Sequence, residues 1–280
     1  VSGYVAALPV PYRTDNHSPS FFDLRLSDGK NAFPVALDPF VLTRFEMADF
    51  TVQARDMGIN YLGICCGAGP HHVRAMAEAL GMALPGSALS PASLFDIRRL
   101  ARQAGRQILQ LAQEGLKPSD ILTTSAFENA IKVHAALSGS TNALLHLPAI
   151  AHELGIEIEA ERFDRINREI PYLVNVQPSG EHVSEMVWYA GGVPRVQIEL
   201  KEMLDLDAMT VTGSTLGENL QQIENTGFFR RGEGYLSNYG FAREDVIYPI
   251  SKSTGLGSIA VLKGNLAPEG AVVKFSAVPS

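Results

Sequence analysis

Ser125-Ala126-Phe127-Glu128, the apolar-rich run from there to Leu137, the polar stretch Ser138-Gly139-Ser140-Thr141-Asn142 and a second apolar run to Leu154 decide how this chain folds. The spacing of Ser125 and Glu128 fits a capping box, in which hydroxyl and carboxylate satisfy free amides reciprocally, and predicts a helix to Leu137. A second helix is expected after Asn142, with Gly155 as its stop. Two helices therefore meet at a polar, glycine-containing elbow. Residues 133–152 are the longest stretch without Asp, Glu, Lys or Arg and match a membrane span in length. They also hold His134, Ser138, Ser140, Thr141, Asn142, His146 and Pro148, which lipid would bury at high cost, so two water-soluble helices are expected.

Around this pair the pattern differs upstream and downstream. Ser90-Pro91 reads as a cap and first-turn pair, opening a helix with Leu94, Ile97, Ala101, Ala104, Ile108 and Leu111 on one face and Gly115 as its end. Arg98, Arg102 and Arg106 lie beside that face, as a solvated surface or alternatively an anion site. Tyr172 to Val176 and Met209 to Thr212 read as strands followed by helical patterns. Ser258 to Leu262 and Ala271 to Val278 read as strands with no helix between them, like the opening of an all-β region. Before Gly81 the order is strand, loop, helix, strand, helix, with Ile59 to Ile64 leading into Cys65-Cys66-Gly67, a unit of the α/β kind.

A chain of 280 residues with 46% hydrophobic content and mean hydropathy +0.05 has enough apolar material for a substantial core. Twenty-three basic against 30 acidic residues give a net charge of −7, which argues against nucleic-acid or anionic-membrane binding and leaves small metabolites. The two cysteines are neighbours and so are poorly placed to cross-link a fold; a reducing, cytoplasmic setting is expected. The chain starts at Val1 and shows no signal-peptide pattern, and it is expected to be a piece of a larger protein.

Cys65 and Cys66 stand at a strand end before a helix start, where thiolates are stabilised, and zinc is the natural guest. A zinc site needs at least three protein ligands, and His71 and His72 sit on a helix pointing elsewhere, so two buried unreactive cysteines are the other outcome. Ser140, Thr141 and Asn142 offer hydroxyls and amides at a helix start, suited to a carboxylate or a hydroxyl-rich substrate; ordinary capping accounts for the same residues. His146 is expected as a satisfied core histidine, and Trp188 and Tyr189 as core or interface aromatics. Gly213-Ser214-Thr215-Leu216-Gly217 lacks the Gly-Lys-Ser/Thr ending of a P-loop and is expected to be a structural turn.

Two family resemblances emerge from these residues. Phe33-Pro34-Val35-Ala36-Leu37-Asp38-Pro39, Thr43-Arg44, Ala54 to Gly58, Tyr61 to Gly67 and Pro70 to Glu78 resemble the carboxyl end of the homocysteine S-methyltransferase family, particularly its betaine-homocysteine branch. That resemblance implies the end of a (β/α)8 barrel over residues 1–81. It also makes Cys65 and Cys66 two of three Zn2+ ligands that activate homocysteine, the third lying before Val1. Glu78 to Ala88, Pro118 to Thr123, Ala126 to Ile131, Gly139 to Leu147, Ala190-Gly191-Gly192-Val193-Pro194, Leu206 to Asn219 and Gly264 to Gly270 resemble the dihydroxy-acid and sugar-acid dehydratase family, of the 6-phosphogluconate and xylonate type, over about 78–280.

This second resemblance implies a hydro-lyase that turns a dihydroxy or sugar acid into a 2-keto acid, with an iron-sulfur cluster and Mg2+ as Lewis acids and a homodimer as the assembly. Counting back from Gly81 along the family's cluster-cysteine pattern lands on Ile64, so Cys65 is not assigned to a cluster. The expected architecture is α/β: a partial (β/α)8-barrel end over 1–81, a dehydratase-like α/β domain over 82–257 and the start of a C-terminal β domain over 258–280. The two families hand over at Glu78 to Gly81, as in a chimera or fragment, and the hydro-lyase is expected to be incomplete and inactive as given. A zinc-dependent homocysteine methyltransferase and a non-enzymatic fragment are the alternatives.

Overall fold

The computed structural model describes residues 6–7, 24–30, 61–62, 77–91, 94–177, 179–253 and 255–275. The chain divides into two compact units, Val1–Gly69 and Pro70–Ser280. In the first, β1 (Ala6–Ala7) pairs in parallel with β2 (Tyr61–Leu62), Ala6 opposite Tyr61. Parallel pairing of strands so far apart in sequence requires a crossover connection; the helix expected between them lies outside the described residues. A (β/α)8 barrel is not shown by the described residues. Cys65, Cys66, His71 and His72 lie outside them.

The second unit is built around α3 (Thr124–Ala136), whose Phe127, Ala130, Ile131, Val133, His134, Ala135 and Ala136 are all buried. After its first residue only the stripe of Ser125, Glu128 and Lys132 is half-buried, so α3 lies at the core's centre, and each fully buried Ile or Phe contributes about 1.5–3 kcal/mol. α3 packs against α4 (Ala143–His152), α5 (Ala160–Glu169) and α7 (Gly192–Glu199). α6 (Ser184–Tyr189) packs against α7 and α9 (Phe228–Asn238), and α8 (Leu216–Asn225) against α7 and α9. Trp188 and Tyr189 on α6 are core residues.

Several boundaries differ from expectation. α3 is capped by Thr123, whose hydroxyl accepts from the Ala126 amide at 3.3 Å, and not by the Ser125/Glu128 box; Glu128 instead pairs with Arg162 at 2.6 Å. α1 (Asp96–Glu114) starts after Phe95, not at Pro91, which takes part in a turn closed by the Leu94 amide. Its expected core face is largely outside: Ala101, Ala104 and Ile108 are exposed, and Leu111 alone is buried among α1 residues. Arg98, Arg102 and Arg106 are exposed, as a solvated face requires.

The strands expected at 172–176 and 209–212 are single bridges, Val174 with Ile247, Val176 with His182 and Met209 with Thr215. The first segment changes partner before a ladder can grow. Among the described residues the α/β expectation holds in a coarse form, as helices mixed with isolated bridges and one small antiparallel sheet, a hairpin. That hairpin joins β3 (Ile259–Gly264) to β4 (Ala267–Lys274), and β4 starts earlier than the alternation suggested because Ala267 already pairs with Gly264. α5 clamps its first strand: the Asn167 side-chain oxygen accepts from the Ser258 and Ile259 amides at 3.1 and 3.2 Å, and Asp164 from the Val261 amide at 2.9 Å. A Cβ on Gly257 would lie 2.3 Å from the Asn167 carbonyl oxygen, so this close approach requires glycine.

Candidate functional site

The elbow between α3 and α4 concentrates the polar groups that sequence reasoning singled out. Ser138 follows α3 with φ +51°, in the left-handed region, and its carbonyl accepts from Lys274 Nζ at 2.6 Å. Its hydroxyl meets that of Ser179 at 2.8 Å. A Cβ on Gly139 would fall 2.1 Å from the His134 ring, so only glycine lets the chain pass over the imidazole. His134 Nε2 lies 2.9 Å from the Ser140 carbonyl oxygen. A carbonyl only accepts, so Nε2 carries the proton and Nδ1 is a lone pair, buried with no partner among the described residues.

Burial pushes His134 down to about 4, against the Ser140 bond and with help from the Lys274 cation, so the ring is neutral near pH 7. Burial likewise lowers Lys274. His134 was not among the residues singled out in the sequence. The signal was there: one histidine on a helix whose neighbours Ala130, Ile131 and Val133 are all apolar.

Ser140, Thr141 and Asn142 are all half-buried and stand together at the start of α4. The Ser140 hydroxyl accepts from the Asn142 amide at 3.3 Å, a local turn. Asn142 occupies the cap position in a helical conformation and its side chain makes no capping bond. The amides of residues 143–146 already bind the carbonyls of 140–142. What the elbow presents is therefore side chains, a threonine hydroxyl and an asparagine amide, and not open amides. His146, expected in the core, is half-buried; the neighbouring Leu147 takes the core position.

Other motifs serve as stitches. The buried Glu78 carboxylate accepts from the Gly86 amide at 2.5 Å and the Ala88 amide at 2.7 Å, and Trp188 Nε1 donates to the Gly86 carbonyl at 3.0 Å. Burial pushes the Glu78 carboxyl up to about 8, while the two amides favour its anion and pull it down. The segment 210–219 is a structural turn: Thr215 caps α8 in a true box with Glu218, and Asn219 bridges Thr210 at 2.7 Å and Thr212 at 2.8 Å. The Val211 amide donates to the Gly81 carbonyl at 2.8 Å.

Among the described residues no group of three His, Cys, Asp or Glu side chains could hold a metal ion. The described residues thus supply no three-ligand set of the kind a zinc or cluster site needs. No described helix is long and apolar enough to cross a membrane.

These motifs belong to a known class. The profile of the dihydroxy-acid/6-phosphogluconate dehydratase N-terminal family matches residues 49–219, and the chain belongs to that family. The match begins upstream of Glu78, inside the stretch that resembles a methyltransferase. Among individual relatives, the dihydroxy-acid dehydratase of Halothermothrix orenii is 42% identical over 209 residues, 74% of this chain and 35% of that protein. The L-arabinonate dehydratase of Rhizobium leguminosarum bv. trifolii is 45% identical over 206 residues, 72% of this chain and 32% of that protein. The D-xylonate dehydratase YagF of Escherichia coli K12 is 44% identical over 232 residues, 79% of this chain and 34% of that protein. The chain spans about a third of the length of these relatives.

Proposed function

We propose that this chain carries part of a hydro-lyase that removes water from a dihydroxy or sugar acid to give a 2-keto acid, and that Thr141 and Asn142, with Ser140 holding their turn, contact the substrate. The observation that carries this is the family match over residues 49–219, together with relatives named for three hydroxylated acids. Each such substrate offers one carboxylate and adjacent hydroxyls. A threonine hydroxyl accepts or donates, and an asparagine amide does both, so the elbow has the groups to read a hydroxyl pair. The buried, neutral His134 fixes the Ser140 carbonyl beneath it and so sets the angle at which Thr141 and Asn142 leave the elbow.

An iron-sulfur cluster and Mg2+ go with the complete enzyme by family, and no step is assigned to them here because the described residues supply no three-ligand set. Two cysteines in the whole sequence are too few for a cluster with three thiolate ligands. The test is twofold. D-Xylonate added to the purified chain shifts the amide resonances of residues 140–142, and Asn142→Ala removes the shift; an unchanged spectrum at saturating ligand rejects the elbow as a contact. After iron and sulfide reconstitution, release of 2-keto acid stays at background, whereas robust turnover shows that the chain holds a working centre.

A second possibility applies to residues 1–81 alone. There the sequence Cys65-Cys66-Gly67, outside the described residues and inside the dehydratase family match, resembles the zinc-binding cysteine pair of a homocysteine methyltransferase. Stoichiometric zinc, lost in Cys66→Ser, supports it; zinc-free protein removes it.

A further inference from the structure

Between α1, α8 and α9 lies a cleft of about 300 Å3 that shares no residue with the elbow. Its lining includes Arg99, Gln103, Thr212, Gln222, Phe228 and Arg231, and no acidic residue. Asp96 at its edge accepts from Arg99 Nη2 at 3.0 Å and from Nε at 3.3 Å, which neutralises that arginine. Arg231 Nη2 stands 3.9 Å from the same carboxylate, too far for a hydrogen bond. Two guanidiniums against one carboxylate leave one net positive charge, carried by Arg231, in a protein whose overall charge is −7.

The opposite wall is neutral and fixed. Thr212 gives its hydroxyl proton to Asn219, accepts from the Ser214 amide at 3.2 Å and lies 3.0 Å from the Thr210 hydroxyl, so its hydrogen-bonding capacity is taken up within the wall. Asn219 is held in turn by Thr210. Phe228 and Ile223 supply an apolar side for a short carbon chain. The volume is at the lower end of small-molecule sites, roughly 300–1,000 Å3.

We propose that this cleft is a second small-molecule site, taking a hydroxylated monocarboxylate with its carboxylate on Arg231 and its hydroxyls against the side-chain amides of Gln103 and Gln222. Arginine binds carboxylates through paired parallel donors, and the single uncompensated charge matches one carboxylate and not a doubly charged anion. The site stands independently of the elbow and of the dehydratase proposal.

The probe is D-gluconate, followed by amide NMR on the intact chain, with sorbitol as the uncharged and acetate as the unhydroxylated comparison. Gluconate is expected to shift residues 99–103, 212 and 231. Arg231→Gln, an exposed change that leaves the fold intact, weakens binding roughly ten- to a hundredfold, the worth of a charge-assisted contact. Asn142→Ala leaves these shifts unchanged, and sorbitol and acetate bind at least tenfold more weakly. Equal affinity in Arg231→Gln, loss in Asn142→Ala, sorbitol or acetate binding as tightly as gluconate, or no shift at saturating gluconate each overturns the proposal. Failure here does not touch the elbow, whose own readout is residues 140–142.

Discussion

Gly139 and His134 show how one residue pair shapes the elbow. A methyl on Gly139 would sit inside the imidazole, and the ring is packed edge-on against Phe163 of α5. Gly139→Ala is therefore expected to cost about 1–3 kcal/mol, read from the midpoint of urea unfolding, because the ring or the backbone must shift. The pH dependence of stability separates two buried groups. His134 has its pKa lowered from 6.5 to about 4, so its contribution is complete above pH 6.5 and is lost as pH falls toward 4. Glu78 is raised from 4.5 to about 8, so the folded state favours its protonated form and stability falls as pH rises from 4.5 to 8. Glu78→Gln should flatten the slope between pH 6.5 and 8, where His134 no longer titrates, and His134→Gln should flatten its acid side. An unchanged alkaline slope in Glu78→Gln would show that the carboxylate stays ionised against its two amides. Ser140, Thr141 and Asn142 were legible as a polar interruption between apolar runs. His134 and Lys274 were not linked to them, because nothing local in the sequence says which distant side chain supports a turn.

At the scale of elements, what could be read depended on whether pairing is local. The strands of the β3–β4 hairpin were legible as β-rich runs with no helix between them, and both find their partner next door, although β4 begins at Ala267 and not at Ala271. The runs at 172–176 and 209–212 also read as strands, yet they form only isolated bridges, the first to two different segments and the second to Thr215 alone. α1 misled in another way: its apolar spacing is real, but spacing shows only that a face exists, and among the described residues little covers it. The hairpin's tie to α5 is likewise invisible in sequence, since it runs through the side chains of Asn167 and Asp164. Asn167→Ala removes the acceptor for the Ser258 and Ile259 amides. Hydrogen exchange at those two amides should accelerate by at least tenfold, with the α3 amides unaffected; uniform acceleration across both would mean that Asn167 supports the whole unit and not the hairpin alone.

Across the second unit, the family's motifs are separated in sequence and joined in space. Glu78 binds the turn at Gly86 and Ala88, Gly86 receives Trp188, Gly81 receives Val211, and Asn129 exchanges two bonds with Asp205 at 2.8 and 2.9 Å. Their order along the chain was legible, which is why the family resemblance could be stated at all; their meeting was not, because each contact depends on a long loop closing. Contacts of this range make unfolding cooperative, as no motif keeps its partner once another is released. Trp188, the only tryptophan of the sequence, lies at the centre of the network and reports on it. Its emission should shift to the red in one urea transition that coincides with loss of helical circular dichroism. Asn129→Ala, which breaks a tie on the other side of α3, should move both midpoints down together by the equivalent of about 1–3 kcal/mol. A fluorescence midpoint that stays in place while the helical signal moves would instead divide the second unit into separately folding parts.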